Sequence, residues 1–222
     1  MDRRKFLLSS GAGLLATSSL MSIPMLGCSN APATTKTTAK NGKLILRFKP
    51  YELKLKHSFN LAKSSRTTTP DVQVELEYDG IIGYGEASMP PYLGETQASV
   101  IEFLKKVDLS KFSSPFLIDD IMKYVDSIAI NNTAAKAAVD IALHDLVGKL
   151  MGQPWWKIWG FDPTVCPNTS FTVGFDTEEV VKEKTKEASP YKVIKVKLGR
   201  DEATDKMMIN TIRSVTDTVI CV

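Results

Sequence analysis

The run Tyr191-Lys-Val-Ile-Lys-Val-Lys-Leu-Gly199 decides how the C-terminal part of this chain folds. Its β-branched and leucine side chains between Val193 and Leu198 favour a strand. Strands and helices alternate on both sides of this run, and such alternation is typical of a parallel sheet built from β/α units. The sequence therefore predicts the start of a β/α series, two and a half units long, whereas a closed barrel needs eight. The flanking elements are strand Thr169–Val173, helix Thr177–Ala188, helix Glu202–Val215 and strand Thr218–Val222.

Two lysines in this run point the same way. Lys195 and Lys197 are two residues apart, so a strand places both side chains on one face, about 6–7 Å apart along the chain. A nearby like charge and burial at a strand end each lower the proton affinity of a lysine. A lysine brought toward neutrality can act as a proton-abstracting base. The alternative is an edge strand with a solvated lysine face, because Lys192 also lies here and edge strands favour lysine.

The N-terminal half of the globular sequence predicts an antiparallel sheet. Residues 44–55 alternate between apolar and polar side chains, which indicates a strand pair or one long strand broken at Pro50. Residues 72–78 alternate again, and the tight turn Asp79-Gly80 leads into a third strand. The polar residues 57–70 are predicted to form a mobile loop.

Helices follow this three-stranded meander. Apolar residues at spacings of three and four predict helices at about Thr96–Lys106 and Ile118–Ile128. A longer helix is predicted from an N-cap at Thr133 to Met151, where Gly152 and Pro154 end it.

Charge and cysteine content narrow the function classes. The chain has 222 residues, with 28 basic and 25 acidic side chains and a net charge of +3. So small an excess of positive charge does not indicate nucleic-acid binding. Cys166 and Cys221 lie in apolar runs and are predicted to be buried thiols, too few for a disulfide framework.

The first 27 residues predict an export signal. Arg3-Arg4 and the apolar stretch after it resemble the twin-arginine signals of exported bacterial proteins. Met25-Leu-Gly-Cys28 resembles a lipoprotein cleavage box, in which Cys28 becomes the lipidated N-terminus. The alternative is an ordinary soluble export signal cleaved nearby. Residues 28–42 predict a flexible tether, so we expect a periplasmic or cell-surface protein held to the membrane by a lipid anchor.

Three segments together resemble the enolase superfamily, specifically its muconate-lactonizing branch and, within it, the dipeptide epimerases of the L-Ala-D/L-Glu type. The helical segment Ala134–Pro154, followed by Trp159-Gly160, looks like the helix that closes the capping domain of that family. Lys195-Val-Lys197 resembles the family's Lys-x-Lys motif on the second barrel strand. His57–Thr67 is similar to the capping-domain loop that closes over the substrate.

The resemblance covers residues 43–222 and implies two domains. Residues 43–165 would form an α+β capping domain, a three-stranded antiparallel meander plus helices, into which Gly83-Tyr-Gly-Glu-Ala87 fits. Residues 166–222 would form the first two and a half β/α units of a truncated TIM-type barrel.

The same resemblance assigns site residues. Lys197 would be the catalytic base that takes or returns the α-proton on one face of the substrate, and Lys195 would sit beside it and depress its pKa. Arg66 would pair a substrate carboxylate; the alternative is a solvated loop arginine. Thr172 would contact the substrate; the alternative is a β-forming residue without that role. The only histidines, His57 and His144, are interpreted as structural, and Glu86 as a residue that bonds backbone in a Gly-Glu-Ala turn.

The implied chemistry needs more than these residues. A proton next to a carboxylate is far less acidic than a lysine ammonium, so concentrated positive charge must stabilise the enediolate. The family uses Mg²⁺ held by three carboxylates on the third, fourth and fifth strands, and a second lysine on the sixth. These positions lie beyond residue 222, so we expect no metal ligand in this sequence and no activity from these 222 residues alone.

The resulting hypothesis is the N-terminal part of a Mg²⁺-dependent isomerase, a dipeptide epimerase acting on Ala-Glu-type cell-wall peptides. One alternative keeps the fold but changes the reaction to that of a muconate cycloisomerase or an o-succinylbenzoate synthase. Another is a non-catalytic remnant or binding lipoprotein. The family often forms oligomers through the barrel, which implies a homo-oligomer for the full-length form.

Overall fold

The computed structural model of this protein describes residues 42–222. Cys28, the export signal and nearly all of the tether lie outside the described residues. Within the described part, none of the helices has the length and apolar character needed to cross a membrane.

The first sheet is the three-stranded antiparallel meander that the sequence predicts. Its strands are β1 (Ile45–Asn60), β2 (Ser65–Tyr78) and β3 (Ile81–Ser88), in the order β1-β2-β3. Asp79 and Gly80 form the predicted turn, both with positive φ. Pro50 pairs with Val72 inside β1, so β1 is one long strand.

The mobile loop predicted over residues 57–70 is wrong. β1 continues to Asn60 and β2 resumes at Ser65, with a register shift between Lys54 and Phe59. Only a four-residue turn separates the strands, closed by the Leu61 amide donating to the Ser64 carbonyl at 2.8 Å. We call residues 57–66 the ribbon tip. The polar side chains of this extension lack the apolar alternation by which the rest of β1 and β2 is recognised in the sequence.

Four helices follow the meander: α1 (Gln97–Leu104), α2 (Ile118–Ser127), α3 (Thr133–Met151) and α4 (Trp155–Ile158). Short 3₁₀ helices lie at Pro91–Leu93 and Pro163–Val165. The N-cap of α3 is Asn132 rather than the predicted Thr133. Glu95 accepts hydrogen bonds from the Thr133 hydroxyl and the Ala134 amide, so a distant carboxylate satisfies this helix end.

Helix α3 packs closely on β3 because two glycines leave room for it. A Cβ on Gly85 would collide with the Ala138 carbonyl, and one on Gly83 with the Ala142 carbonyl and the Leu146 backbone. Buried residues of β2 and α3 fill the core between sheet and helices, among them Val72, Val74, Leu76, Val139, Leu143 and Leu146.

The second sheet is parallel. Its elements are β4 (Ser170–Val173), α5 (Glu178–Glu187), β5 (Val193–Val196), α6 (Glu202–Arg213) and β6 (Val219–Cys221). The strand order is β4-β5-β6. Helices α5 and α6 pack on one face of this sheet, over the buried side chains of Val173, Ile194 and Val196.

The two cysteines of the described part are not buried. Cys166 and Cys221 are both exposed, so the prediction of buried thiols is wrong.

Candidate active site

The predicted lysines lie on the face of the second sheet opposite to α5 and α6. Ile194 and Val196 are buried toward the helices, so Lys195 points the other way. The Lys197 amide donates to the Val173 carbonyl at 3.0 Å, which continues the parallel pairing one residue past β5. Lys195 is exposed and Lys197 half-buried. β5 lies between β4 and β6, so the edge-strand interpretation is wrong.

Thr172 lies beside the first of these lysines. The parallel register pairs Thr172 with Lys195, and Lys195 with Cys221. All three side chains alternate with the residues that face the helices, so they share the open face of the sheet. The carboxyl ends of parallel strands therefore present Thr172, Lys195 and Lys197 on one surface.

Arg66 reaches the same region from the other sheet. It pairs with Phe59 across the ribbon tip, and its guanidinium carbon lies 5.2 Å from the centre of the Phe59 ring. Arg66 and Thr172 both line a cavity of about 230 Å³. Among residues 42–222 no carboxylate lies within ion-pair distance of Arg66, so its guanidinium is open to an incoming carboxylate.

The two histidines have partners that the sequence could not indicate. His57 Nε2 lies 2.9 Å from Glu187 Oε2, and Lys56 Nζ lies 3.0 Å from the same oxygen. Hydrogen bonds first from His57 and then from Lys56 hold the pKa of Glu187 below its ordinary value. His144 Nδ1 lies 3.0 Å from Asp140 Oδ1. The His57 contact joins β1 to the helix over Glu178–Glu187, whereas the His144 contact lies within α3; both suit structural histidines.

A buried carboxyl group was not singled out from the sequence. Asp71 on β2 is 1% exposed, and neither of its carboxylate oxygens has a hydrogen-bond partner among the described residues. Burial, and then the charge of Glu86, raise its pKa to about 6. Glu86 lies within β3 and not in a turn, and both carboxyl groups line a cavity of about 440 Å³.

The described residues offer no binding site for Mg²⁺. No group of three or more His, Cys, Asp or Glu side chains within residues 42–222 is arranged to hold a metal ion. The acidic residues after Gly199 have other partners: Asp201 caps α6 through the Thr204 amide at 2.8 Å, and Asp205 accepts from the Gly199 amide at 2.9 Å. The Mg²⁺ that the resemblance implies therefore does not fit any donor set in this part of the chain.

Comparison with known proteins shows that the chain is similar in sequence to epimerases. The chain is 56% identical to an L-Ala-D/L-Glu epimerase of Bacteroides thetaiotaomicron over 100% of its own length and 58% of that protein. It is 31% identical to an L-Ala-D/L-amino acid epimerase of Maribacter sp., over 77% of this chain and 50% of the relative. The chain thus spans about half the length of the curated relatives it matches.

Solved structures give the same result for the fold. A dipeptide epimerase from Enterococcus faecalis, complexed with Mg and the dipeptide L-Leu-L-Tyr, superposes with a TM-score of 0.70 at 28% identity. The match covers 80% of this chain and 52% of that one. Residues 47–160 match the family model described as mandelate racemase/muconate lactonizing enzyme, N-terminal domain. The resemblance inferred from the sequence is confirmed, and the chain belongs to the mandelate racemase/muconate lactonizing enzyme family of the enolase superfamily.

Proposed function

We propose that this chain supplies the substrate-closing domain and the first catalytic lysine of a Mg²⁺-dependent dipeptide epimerase. One observation carries the proposal: Arg66 and Thr172, which come from two different sheets, line one cavity, and Thr172 is paired with Lys195 at the carboxyl ends of β4 and β5. Epimerase relatives at 56% and 31% identity support the reaction class. The substrate class is a dipeptide of the Ala-Glu type, as in cell-wall peptides.

Each side chain has a role that its chemistry suits. The Arg66 guanidinium donates two parallel hydrogen bonds to a substrate carboxylate, and the Thr172 hydroxyl forms a hydrogen bond to the substrate beside it. Lys197 exchanges the α-proton, while the Lys195 ammonium adds positive charge beside the developing enediolate. When bound, Mg²⁺ would supply the remaining positive charge, through ligands outside the described residues.

The proposal is tested in a chimera. The 222 residues are joined to the part of the Bacteroides relative that lies beyond the match, and the product is incubated with Mg²⁺ and L-Ala-L-Glu in D₂O. We expect proton NMR to show loss of the glutamate α-proton signal and growth of the epimer. Absence of both, in a chimera that folds, would overturn the proposal. Muconate or o-succinylbenzoate chemistry in the same chimera would favour the alternative reactions.

Replacing Arg66 with alanine in this chimera is expected to raise the KM for L-Ala-L-Glu by about 10–100-fold, the usual worth of a charge-assisted hydrogen bond. The effect on kcat is expected to be smaller, because the carboxylate is bound in both ground and transition states. Arg47→Ala is the matched control, since Arg47 lies on the neighbouring strand β1 but pairs with Glu77 at 2.6 Å. An unchanged KM in Arg66→Ala would show that Arg66 does not bind the substrate.

We also propose that the protein is exported and anchored through Cys28. The support is the sequence of residues 1–28. When the chain is expressed in a bacterium, we expect labelled palmitate to be incorporated and the protein to sediment with membranes. Both are expected to be lost in Cys28→Ala. A wild-type protein that incorporates no label would overturn the proposed lipid anchor. Homo-oligomer formation by the chimera, measured by light scattering, is a further part of the proposal.

A further inference from the structure

The ribbon tip is fastened to the segment that follows β4. The Phe175 amide donates to the Asn60 carbonyl at 3.2 Å, and Asn60 Nδ2 donates back to the Phe175 carbonyl at 2.7 Å. Ser65 Oγ donates to Asn60 Oδ1 at 2.5 Å. Asn60 therefore connects β1 to the backbone that follows β4. Through Ser65, the residue directly before Arg66, it connects β2 to the same backbone.

A buried lysine lies beneath this junction. Lys184 on α5 is 3% exposed, and its Nζ lies 2.8 Å from Asp176 Oδ2 and 3.5 Å from the Ser58 carbonyl. Asn60 Nδ2 approaches the same Asp176 oxygen at 3.4 Å. Lysine is rarely buried unless it is paired. Its neighbour Lys182 shows the ordinary behaviour, with a 42% exposed side chain that pairs with Glu178 on the same helix.

The close approach of the backbones also constrains the ribbon tip. A Cβ on Gly174 would lie 2.7 Å from the Asn60 carbonyl oxygen, closer than side-chain carbons are found. The junction therefore has a steric requirement at Gly174 that is independent of the charges at Asp176 and Lys184.

We propose that Lys184, acting through Asp176 and Asn60, is a positioning residue that holds the ribbon tip so that Arg66 faces the cavity shared with Thr172. The inference rests on the role proposed above for Arg66. It adds Asn60, Asp176 and Lys184, of which Asn60 lies more than 100 positions from the other two. Lys184 also lines that cavity, but its Nζ is engaged by Asp176 and the Ser58 carbonyl. The effect of these three residues on catalysis passes through the placement of one guanidinium, where a displacement of about 1 Å can cost roughly a hundredfold in rate.

The junction itself is tested on the full 222-residue chain by amide hydrogen exchange. In Lys184→Met, peptides covering residues 57–66 are expected to exchange at least about tenfold faster than in the wild type, which corresponds to a loss of about 1.4 kcal/mol of local protection. Lys182→Met is the matched control, on the same helix, and is expected to leave these peptides unchanged. Unchanged exchange in Lys184→Met would overturn the proposal. Gly174→Ala is the second variant, expected to expose the same peptides without removing a charge.

The link to Arg66 is tested by a double-mutant cycle in the chimera. Lys184→Met is expected to raise KM by roughly tenfold in the Arg66 background and to leave KM unchanged in the Arg66→Ala background, because the two substitutions would then remove the same interaction. Equal effects in both backgrounds would mean that Lys184 only stabilises the fold. A wild-type chimera without activity would instead count against the proposed function, and the exchange result would still decide the junction.

Discussion

Replacing Lys197 with alanine is expected to lower kcat/KM for epimerisation of L-Ala-L-Glu by roughly 10²–10⁴-fold, the usual contribution of a positioned base. The reason is geometric: Lys197 is half-buried on the open face of the second sheet, directly past β5. In the proposed function, a lysine at this position serves one face of the substrate. The measurement is proton NMR in D₂O on the chimera with Mg²⁺, starting separately from each of the two epimers.

The stereochemistry makes this prediction sharper than a loss of activity. Because Lys197 is proposed to serve one face, Lys197→Ala is expected to abolish exchange from one epimer more completely than from the other. Lys192→Ala is the matched control, since Lys192 lies in the same run but is exposed before β5 begins. Equal loss from both epimers, or no loss, would contradict the assignment of Lys197 as a base for one face.

Replacing Asp71 with asparagine is expected to stabilise the chain at pH 7 by about 3 kcal/mol, since each unit of pKa shift corresponds to about 1.4 kcal/mol. Burial first, and then the charge of Glu86, raise the pKa of Asp71 from 3.8 to about 6, while Arg66 acts in the opposite sense. The ionised carboxylate is therefore disfavoured in the folded state. An asparagine of the same shape removes that charge.

The pH dependence has a definite sign. The folded-state pKa of Asp71 lies above its unfolded value, so its contribution to stability is fully present below about pH 4 and is lost as the pH rises through about 6. The free energies of unfolding of the wild type and Asp71→Asn should therefore lie closest below about pH 4, separate as the pH rises to about 6, and keep a constant difference above it. Urea unfolding at a series of pH values measures this. Asp119→Asn, at an exposed position on α2, is the control and is expected to have little effect.

A wild type that loses no stability relative to Asp71→Asn between pH 4 and pH 7 would show that Asp71 is not buried as a carboxylate. If Asp119→Asn gained a similar amount of stability, the effect would be due to general charge repulsion instead of the burial of Asp71.

Local patterns were enough to predict the elements of the fold. Alternation along β2 and the Asp79-Gly80 turn predicted the hairpin, because a period of two and a positive φ are properties of neighbouring residues. The strand and helix alternation after residue 169 predicted the parallel sheet for the same reason. The ribbon tip was predicted to be a loop, since its polar residues lack the apolar alternation that marks a strand, although its two strands pair within a few residues of each other.

The sequence by itself determined the alternation of elements, the Asp79-Gly80 turn, the end of α3 at Gly152, and the placement of Lys195 and Lys197 on one face of a strand. Only the tertiary structure decided that Arg66 and Thr172 share a cavity, that Asn60, Asp176 and Lys184 meet beneath the ribbon tip, and that Asp71 is buried beside Glu86. The physical reason is that periodicity and turn chemistry act between neighbours in sequence, whereas burial and charge pairing arise between groups that only the folded chain brings together.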